Sequence, residues 1–309
     1  MVNYVFKPDD HPEEWSLDYS KRDHEIVDYK YYDIAGISGV RFRGPPLSQD
    51  DLDSGNYFTC LGGAQANGIF VENTFGDIIA DHIGLPVLNL SVGGGGAGFY
   101  LQAPGLLELV NKGRFSIVQV MTARTEPNSR FGAYGFVEAL LDLKTGRQTS
   151  TMEAWPLIFN EERDKAPQYV AESLENWVRR YHELAANISV PKILFYFSDK
   201  DLDEAIDYEA SDTMAILGKF PQFVDSKSLD EVRPLFDAYV ECRSMRNYGY
   251  PLVSRFTGEP VEVNGGSMAS YAEGMKWSTN HYYPSPEMHE DAAEALEAAL
   301  RDLKLPQLL

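Results

Sequence analysis

Tyr57-Phe58-Thr59-Cys60-Leu61-Gly62-Gly63-Ala64-Gln65 is the stretch whose reading decides the fold. Bulky, mostly apolar residues run without a break into two adjacent glycines. Such a run suits a strand buried on both faces. The glycine pair permits a tight turn and a close approach of backbone. Beyond it, Phe70, Val71, Phe75, Ile78, Ile79 and Ile83 recur at spacings of three and four, a helical face that Gly84 terminates. The unit is strand, turn, helix.

The unit repeats outward from this stretch. Residues 86–92 read as a second strand, followed by Gly93-Gly94-Gly95-Gly96. Residues 101–110 read as a helix and 115–122 as a third strand. A helix over 171–188 carries Leu174, Trp177, Val178, Tyr181, Leu184 and Ala185 on its apolar face, and 193–197 form a fourth strand. Residues 220–224 read as a short fifth strand. Ser228, with Glu231 three residues on, is expected to cap a helix running to about Arg246. Ser285 or Pro286 opens a last helix reaching about Leu303. This alternation predicts an α/β fold: a doubly wound, mostly parallel five-stranded sheet in a flavodoxin-like three-layer sandwich. Residues 1–50, polar and aromatic and closing on Gly44-Pro45-Pro46, are expected to form an N-terminal arm. Residues 51–309 would then be one domain, with an insertion at about 123–170 that includes a hairpin turn at Leu143-Lys144-Thr145-Gly146-Arg147.

The formal net charge is −20, which disfavours nucleic acid and anionic membrane as partners. No apolar run is long enough for a membrane span, and no secretory signal is visible. Cys60 and Cys242 are the only cysteines, too few for a disulfide framework, and no spaced metal-ligand cluster occurs. A cytoplasmic protein with reduced thiols and no metal is the expectation, its oligomeric state left open.

In an open parallel sheet, ligands bind beyond the carboxyl ends of the strands. That rule gathers Gly62, Gly63, Ala64 and Gln65 after the first strand, and Gly94 and Gly95 after the second. After the third strand it adds Arg124, Asn128 and Ser129, and as a fourth member the segment before the last helix. The glycine turns can present backbone amides to an anion, or be plain connections. Arg124 can meet an anionic ligand or one of the 47 carboxylates. Asn128 can polarise a carbonyl or cap a helix. His289, in the first turn of the last helix, is the candidate general base.

At these residues the chain resembles the SGNH (GDSL-type) hydrolase superfamily, and more closely an uncharacterised bacterial family built on that plan. The segments that carry the resemblance include Phe42-Arg43-Gly44-Pro45, Cys60-Leu61-Gly62-Gly63-Ala64-Gln65, Leu88-Asn89-Leu90-Ser91, Phe220-Pro221-Gln222 and Tyr282-Tyr283-Pro284-Ser285-Pro286-Glu287-Met288-His289. The resemblance implies a nucleophilic serine after the first strand, a glycine after the second, an asparagine after the third, and Asp-x-x-His before the last helix. Carried over, these slots hold Ala64, a glycine among residues 93–96, Asn128, and Pro286 with His289. Serine and aspartate are both missing, so the triad is degenerate.

Three functions are compatible with these residues. One is group transfer onto a glycan or small molecule, with His289 as base and no protein nucleophile. Another is a sulfotransferase-like enzyme in which Arg124 and Ser129 hold the 3′-phosphate of a sulfate donor. The third is a non-catalytic carbohydrate-binding protein with Tyr282, Tyr283 and Trp277 near the cleft. The implied partner is a small-molecule or glycan substrate, and the implied co-reactant a sulfate or acyl donor.

Overall fold

The computed structural model describes residues 7–8, 24–37, 39–133, 137, 139–264 and 276–303. Residues 1–6 and 9–23 of the expected arm lie outside the described residues.

Five parallel strands make the central sheet: β1 (Phe58–Leu61), β2 (Val87–Asn89), β3 (Ser116–Gln119), β4 (Lys192–Phe197) and β5 (Ala238–Cys242). Their spatial order is β5-β4-β3-β1-β2, and every pairing is parallel. This is the doubly wound order in which the chain leaves β1 toward one edge and returns to build the other side beside it. The point of reversal lies between β1 and β3, at the end of the glycine turn.

Alternation along the strands feeds two cores. Phe58, Cys60, Ile117, Ile193, Phe195 and Val240 face one layer, made by α2 (Phe75–Ile83) and α7 (Pro286–Asp302). Leu61, Val118, Leu194 and Tyr196 face the other, made chiefly by α3 (Ala97–Gln102), α4 (Pro104–Lys112), α5 (Thr151–Glu161) and α6 (Ala166–Asn187). Both faces of the sheet are thus buried, as the unbroken apolar runs require. The stretch expected as an insertion holds a three-stranded antiparallel sheet, Phe131–Ala133, Ala139–Asp142 and Arg147–Ser150.

The arm is more than a cover. Arg43 is buried, and its guanidinium donates to the carbonyls of Asn67, Gly68, Val71 and Glu72 at 3.2, 2.9, 2.7 and 2.6 Å. One side chain therefore satisfies the irregular loop between α1 (Ala64–Asn67) and α2. Charge-assisted bonds of this kind contribute about 1.5–3 kcal/mol each where an acceptor would otherwise be buried unpaired.

Two expectations are corrected. Residues 220–224 do not form the fifth strand; Phe223 stands at a left-handed φ of 68°, and the Lys200 ammonium takes the carbonyls of Pro221 and Val224 at 3.1 and 2.7 Å. A strand needs those carbonyls for its neighbours. The helix expected to run from Ser228 to Arg246 is instead Ser226–Val232, capped by Asp225. A 3₁₀ turn over Arg233–Leu235 follows, and then β5. Pro234 stops the helix because its ring leaves no room for the preceding turn.

Candidate functional site

The turn after β1 is held from behind by two side chains. The Gly62 N–H donates to the Tyr100 hydroxyl at 2.8 Å, and the Gly63 N–H donates to Gln119 Oε1 at 2.9 Å. A Cβ on Gly62 would stand 2.6 Å from Gln119 Oε1 and 2.7 Å from Ala66 Cβ, so only glycine fits there. Gly63 has more room, its nearest neighbour being 3.4 Å away. Ala64 opens the short helix α1 with Gly63 as its N-cap.

In front of this turn lies a cavity of about 180 Å³ at the switch point of the sheet. Gly63, Ala64 and Gln65 form one wall, Gly93, Gly94 and Gly95 a second, and Thr122 with Arg124 a third. Phe220, Gln222, Tyr282 and Tyr283 close it. A neighbouring cavity of about 310 Å³ shares Gln65, Phe220, Tyr282 and Tyr283 with the first, so the two are compartments of one cleft. The outer compartment adds an ion pair between Lys219 and Asp199, and the rings of Tyr248 and His281. The His281 Nε2 lies 2.8 Å from Thr279 Oγ1.

The lining of the inner compartment decides what it can do. Among the described residues that line it, Arg124 carries the sole formal charge, and none is a histidine, cysteine, aspartate or glutamate. Gln222 is 1% exposed; its Nε2 donates to the Tyr282 hydroxyl at 3.2 Å, and its Oε1 has no partner. Cys60 lies on the far face of β1, and burial pushes its thiol well above the usual range, so it offers no thiolate.

The structure brings Gly63, Ala64, Gln65, Gly94, Gly95 and Arg124 together around this cavity, with Gly62 as their support. It does not bring Asn128, Ser129 or His289 to it. Asn128 Oδ1 accepts from the N–H groups of Arg130 and Phe131 at 3.0 and 2.9 Å, and its Nδ2 donates to Ser173, so it shapes a turn. Ser129 is exposed and its amide donates to Glu172 at 2.6 Å. Arg124 and Ser129 therefore do not form one phosphate cradle. Ser91 and Ser285 are also absent from the lining.

His289 is fully buried between Phe75 and Phe197, with ring centroids 5.8 and 5.2 Å away. Its Nδ1 accepts the first N–H of α2, from Phe75, at 3.1 Å. The neutral tautomer thus carries its proton on Nε2. Burial drives the imidazole down to about 3, aided by the positive charge of Arg43. It is a core histidine that caps a helix.

The Asp-x-x-His spacing of the resemblance has a second register, Asn280-His281-Tyr282-Tyr283, six residues earlier. Its fourth residue, Tyr283, lines the cavity with Ala64. Its first, Asn280, holds that segment: its Oδ1 accepts from the N–H groups of Tyr282 and Tyr283, and its Nδ2 donates to the Tyr283 carbonyl. Ala64, Asn280 and Tyr283 carry no serine hydroxyl, carboxylate or imidazole. The signal was in the sequence: Pro284-Ser285-Pro286 fixes the start of α7, and a residue that reaches a strand-end cavity belongs before it. Gln222, Thr122 and the supporting pair Tyr100 and Gln119 carried no comparable signal.

A family model described as a domain of unknown function, DUF6473, matches residues 17–134, less than half of the chain. No curated protein matches the sequence. Among solved structures, the chain is similar to a carbohydrate esterase family 2 enzyme with a carbohydrate-binding domain from Corynascus thermopiles (Myceliophthora fergusii). There the identity is 10%, 88% of this chain and 70% of that one are covered, and the TM-score is 0.36. It is also similar to an acetyl xylan esterase from the rumen bacterium Butyrivibrio proteoclasticus, with 12% identity, coverage of 88% and 68%, and a TM-score of 0.36. The likeness is loose, and the cavity lining carries the functional reading.

Proposed function

We propose that this is a glycan-binding protein on a hydrolase-like α/β scaffold, in which a saccharide sits at the switch point and no protein nucleophile attacks it. The carrying observation is the lining of the inner compartment. Tyr282 and Tyr283 offer aromatic surface with hydroxyls, Gln65, Gln222 and Thr122 offer neutral donors and acceptors, and the glycines let a ring approach the backbone. Neither imidazole nor carboxylate lines it among the described residues. A hydroxyl without an adjacent base is a weak nucleophile, so Thr122 and the tyrosines support binding rather than covalent attack.

A second reading, glycan group transfer from a bound sulfate or acyl donor, is favoured by one observation: His281 lines the outer compartment and can serve there as a base. Donor and acceptor would then share the cleft, and His281→Ala would abolish transfer while leaving saccharide binding in place.

Calorimetric titration of the full chain with a panel of oligosaccharides tests the proposal. Gly93→Leu supplies the control. A Cβ at Gly93 meets only Ala64 Cβ, at 3.9 Å, so a larger side chain fills the cavity without displacing backbone. Saccharide binding by the wild type that Gly93→Leu removes, at unchanged melting temperature, is the expected result. Binding that survives the block would move the site elsewhere.

A further inference from the structure

We infer that the outer compartment takes an apolar group of phenyl size carried by the ligand, so that the ligand class is a saccharide with a hydrophobic substituent rather than a bare sugar. This rests on the saccharide reading above and extends it to the second half of the cleft. Outside the residues that the two compartments share, the polar side chains of the outer one are already engaged by the protein. The Ser198 hydroxyl donates to the Phe220 carbonyl and accepts from the Lys200 N–H at 3.0 Å. Asp199 pairs with Lys219, and the Tyr248 hydroxyl donates to the His281 carbonyl. The His281 ring is bonded to Thr279 and packs against the Tyr248 ring, with centroids 5.7 Å apart. The rest of the wall is apolar: Phe197, Phe220, Met245, Pro284 and Met288 line the same space as the Tyr248 ring. Met245 and Tyr248 are each 44% exposed, so the chain itself leaves this apolar surface uncovered. A cavity of about 310 Å³ has room for a six-membered ring. Thioethers adapt their shape to such a ring, and aromatic walls receive it offset or edge-on.

Gln65 joins the two halves of the cleft. It lines both compartments and is 4% exposed. Its side-chain amide has no hydrogen-bond partner among the described residues, and its Oε1 lies over Gly63, 3.4 Å from where a Cβ would stand. An unpaired buried amide costs free energy that a ligand removes by bonding to it. At the junction, the ligand group within reach is the atom that joins sugar to substituent, or a hydroxyl beside it. An amide has donors and an acceptor for either. The cleft thus calls for polarity at the joint and for apolar surface beyond it. A bare monosaccharide meets only the first demand. A second sugar unit would bring hydroxyls to a wall whose polar groups are already taken.

The test is calorimetry on the full chain with methyl, cyclohexyl and phenyl β-glucosides and with phenol. Phenyl or cyclohexyl β-glucoside is expected to bind about tenfold or more tightly than the methyl glycoside, since burial of about two methylene equivalents already gives that factor. The tighter of the two shows whether the wall selects an aromatic or an aliphatic ring. Met245→Asp is expected to reduce the preference by about threefold or more and to leave methyl β-glucoside binding unchanged. Gln65→Met removes the amide at nearly constant length, and is expected to weaken phenyl β-glucoside by about threefold or more while leaving phenol unchanged. The wild-type preference alone decides the matter should either variant fail to fold. Methyl β-glucoside binding as tightly as both larger glycosides overturns the inference and leaves the saccharide reading standing. Phenol binding as tightly as phenyl β-glucoside overturns the saccharide reading and leaves the apolar compartment standing. Binding of none of the four overturns both.

Discussion

His289 belongs with the residues one, two and three turns further along α7: Ala293, Leu296 and Leu300 share its face and are buried with it. That stripe was in the sequence, and it marks position 289 as core before any chemistry is considered. The imidazole there caps α2 through Phe75. Replacing it by phenylalanine keeps the ring and removes the acceptor, leaving a buried N–H unpaired. His289→Phe is therefore expected to cost about 1–3 kcal/mol at pH 7. Its pH dependence is the sharper readout. Because the folded-state pKa is depressed from 6.5 to about 3, the unfolded chain binds the proton more readily. Stability from this group is present above about pH 6.5 and is lost as pH falls toward 3. By linkage the loss is about 2 kcal/mol between pH 7 and pH 5. Glu126, which burial raises to about 7, acts in the opposite sense over part of this window, so the quantity to follow is the difference between variant and wild type. Denaturant titrations at the two pH values should show the deficit of His289→Phe shrinking at pH 5. A deficit independent of pH would mean that the ring is not held neutral.

Elements, more than side chains, were legible. The turn after β1, the stop at Gly84, the helix starting at Ser285 and four of the five strands all carry local signals: apolar runs, glycines and caps. Two elements failed because local signals competed. Phe220-Pro221-Gln222-Phe223-Val224 has a strand's composition, but its carbonyls are taken by Lys200, a side chain distant in sequence. The true β5, Ala238–Cys242, followed a helical pattern that seemed to continue, and Pro234 was the signal that should have stopped it. The glycine turn lends itself to a paired test. Gly62 packs against Gln119 and Ala66, whereas Gly63, with an extended backbone, has space for a methyl group. Gly62→Ala is expected to destabilise the fold by about 1–3 kcal/mol through overpacking, and Gly63→Ala to stay within about 1 kcal/mol. Thermal melts of the pair would check this. Equal effects would contradict the account of how the turn is supported.

On the scale of the whole molecule, topology does what no local signal could. The order β5-β4-β3-β1-β2 brings residues 63–65, 93–95, 122–124, 220–222 and 282–283 to one crevice, although they span most of the chain. The strand-end rule named the first three of these segments from sequence, and with them the segment before the last helix that supplies Tyr282 and Tyr283. Residues 220–222 come from an irregular loop whose course depends on packing, which is why Gln222 went unread. The assembled site is a cavity in an acidic protein, with Ala64 in its wall and neither imidazole nor carboxylate among the described lining residues. The most direct measurement is the esterase activity of Ala64→Ser on p-nitrophenyl acetate. The account gives a folded variant with no turnover above the wild-type background, because a serine hydroxyl without a base remains inert. Turnover that appears with the serine and disappears with His289→Phe would contradict it, and would place a working base at the turn after β1.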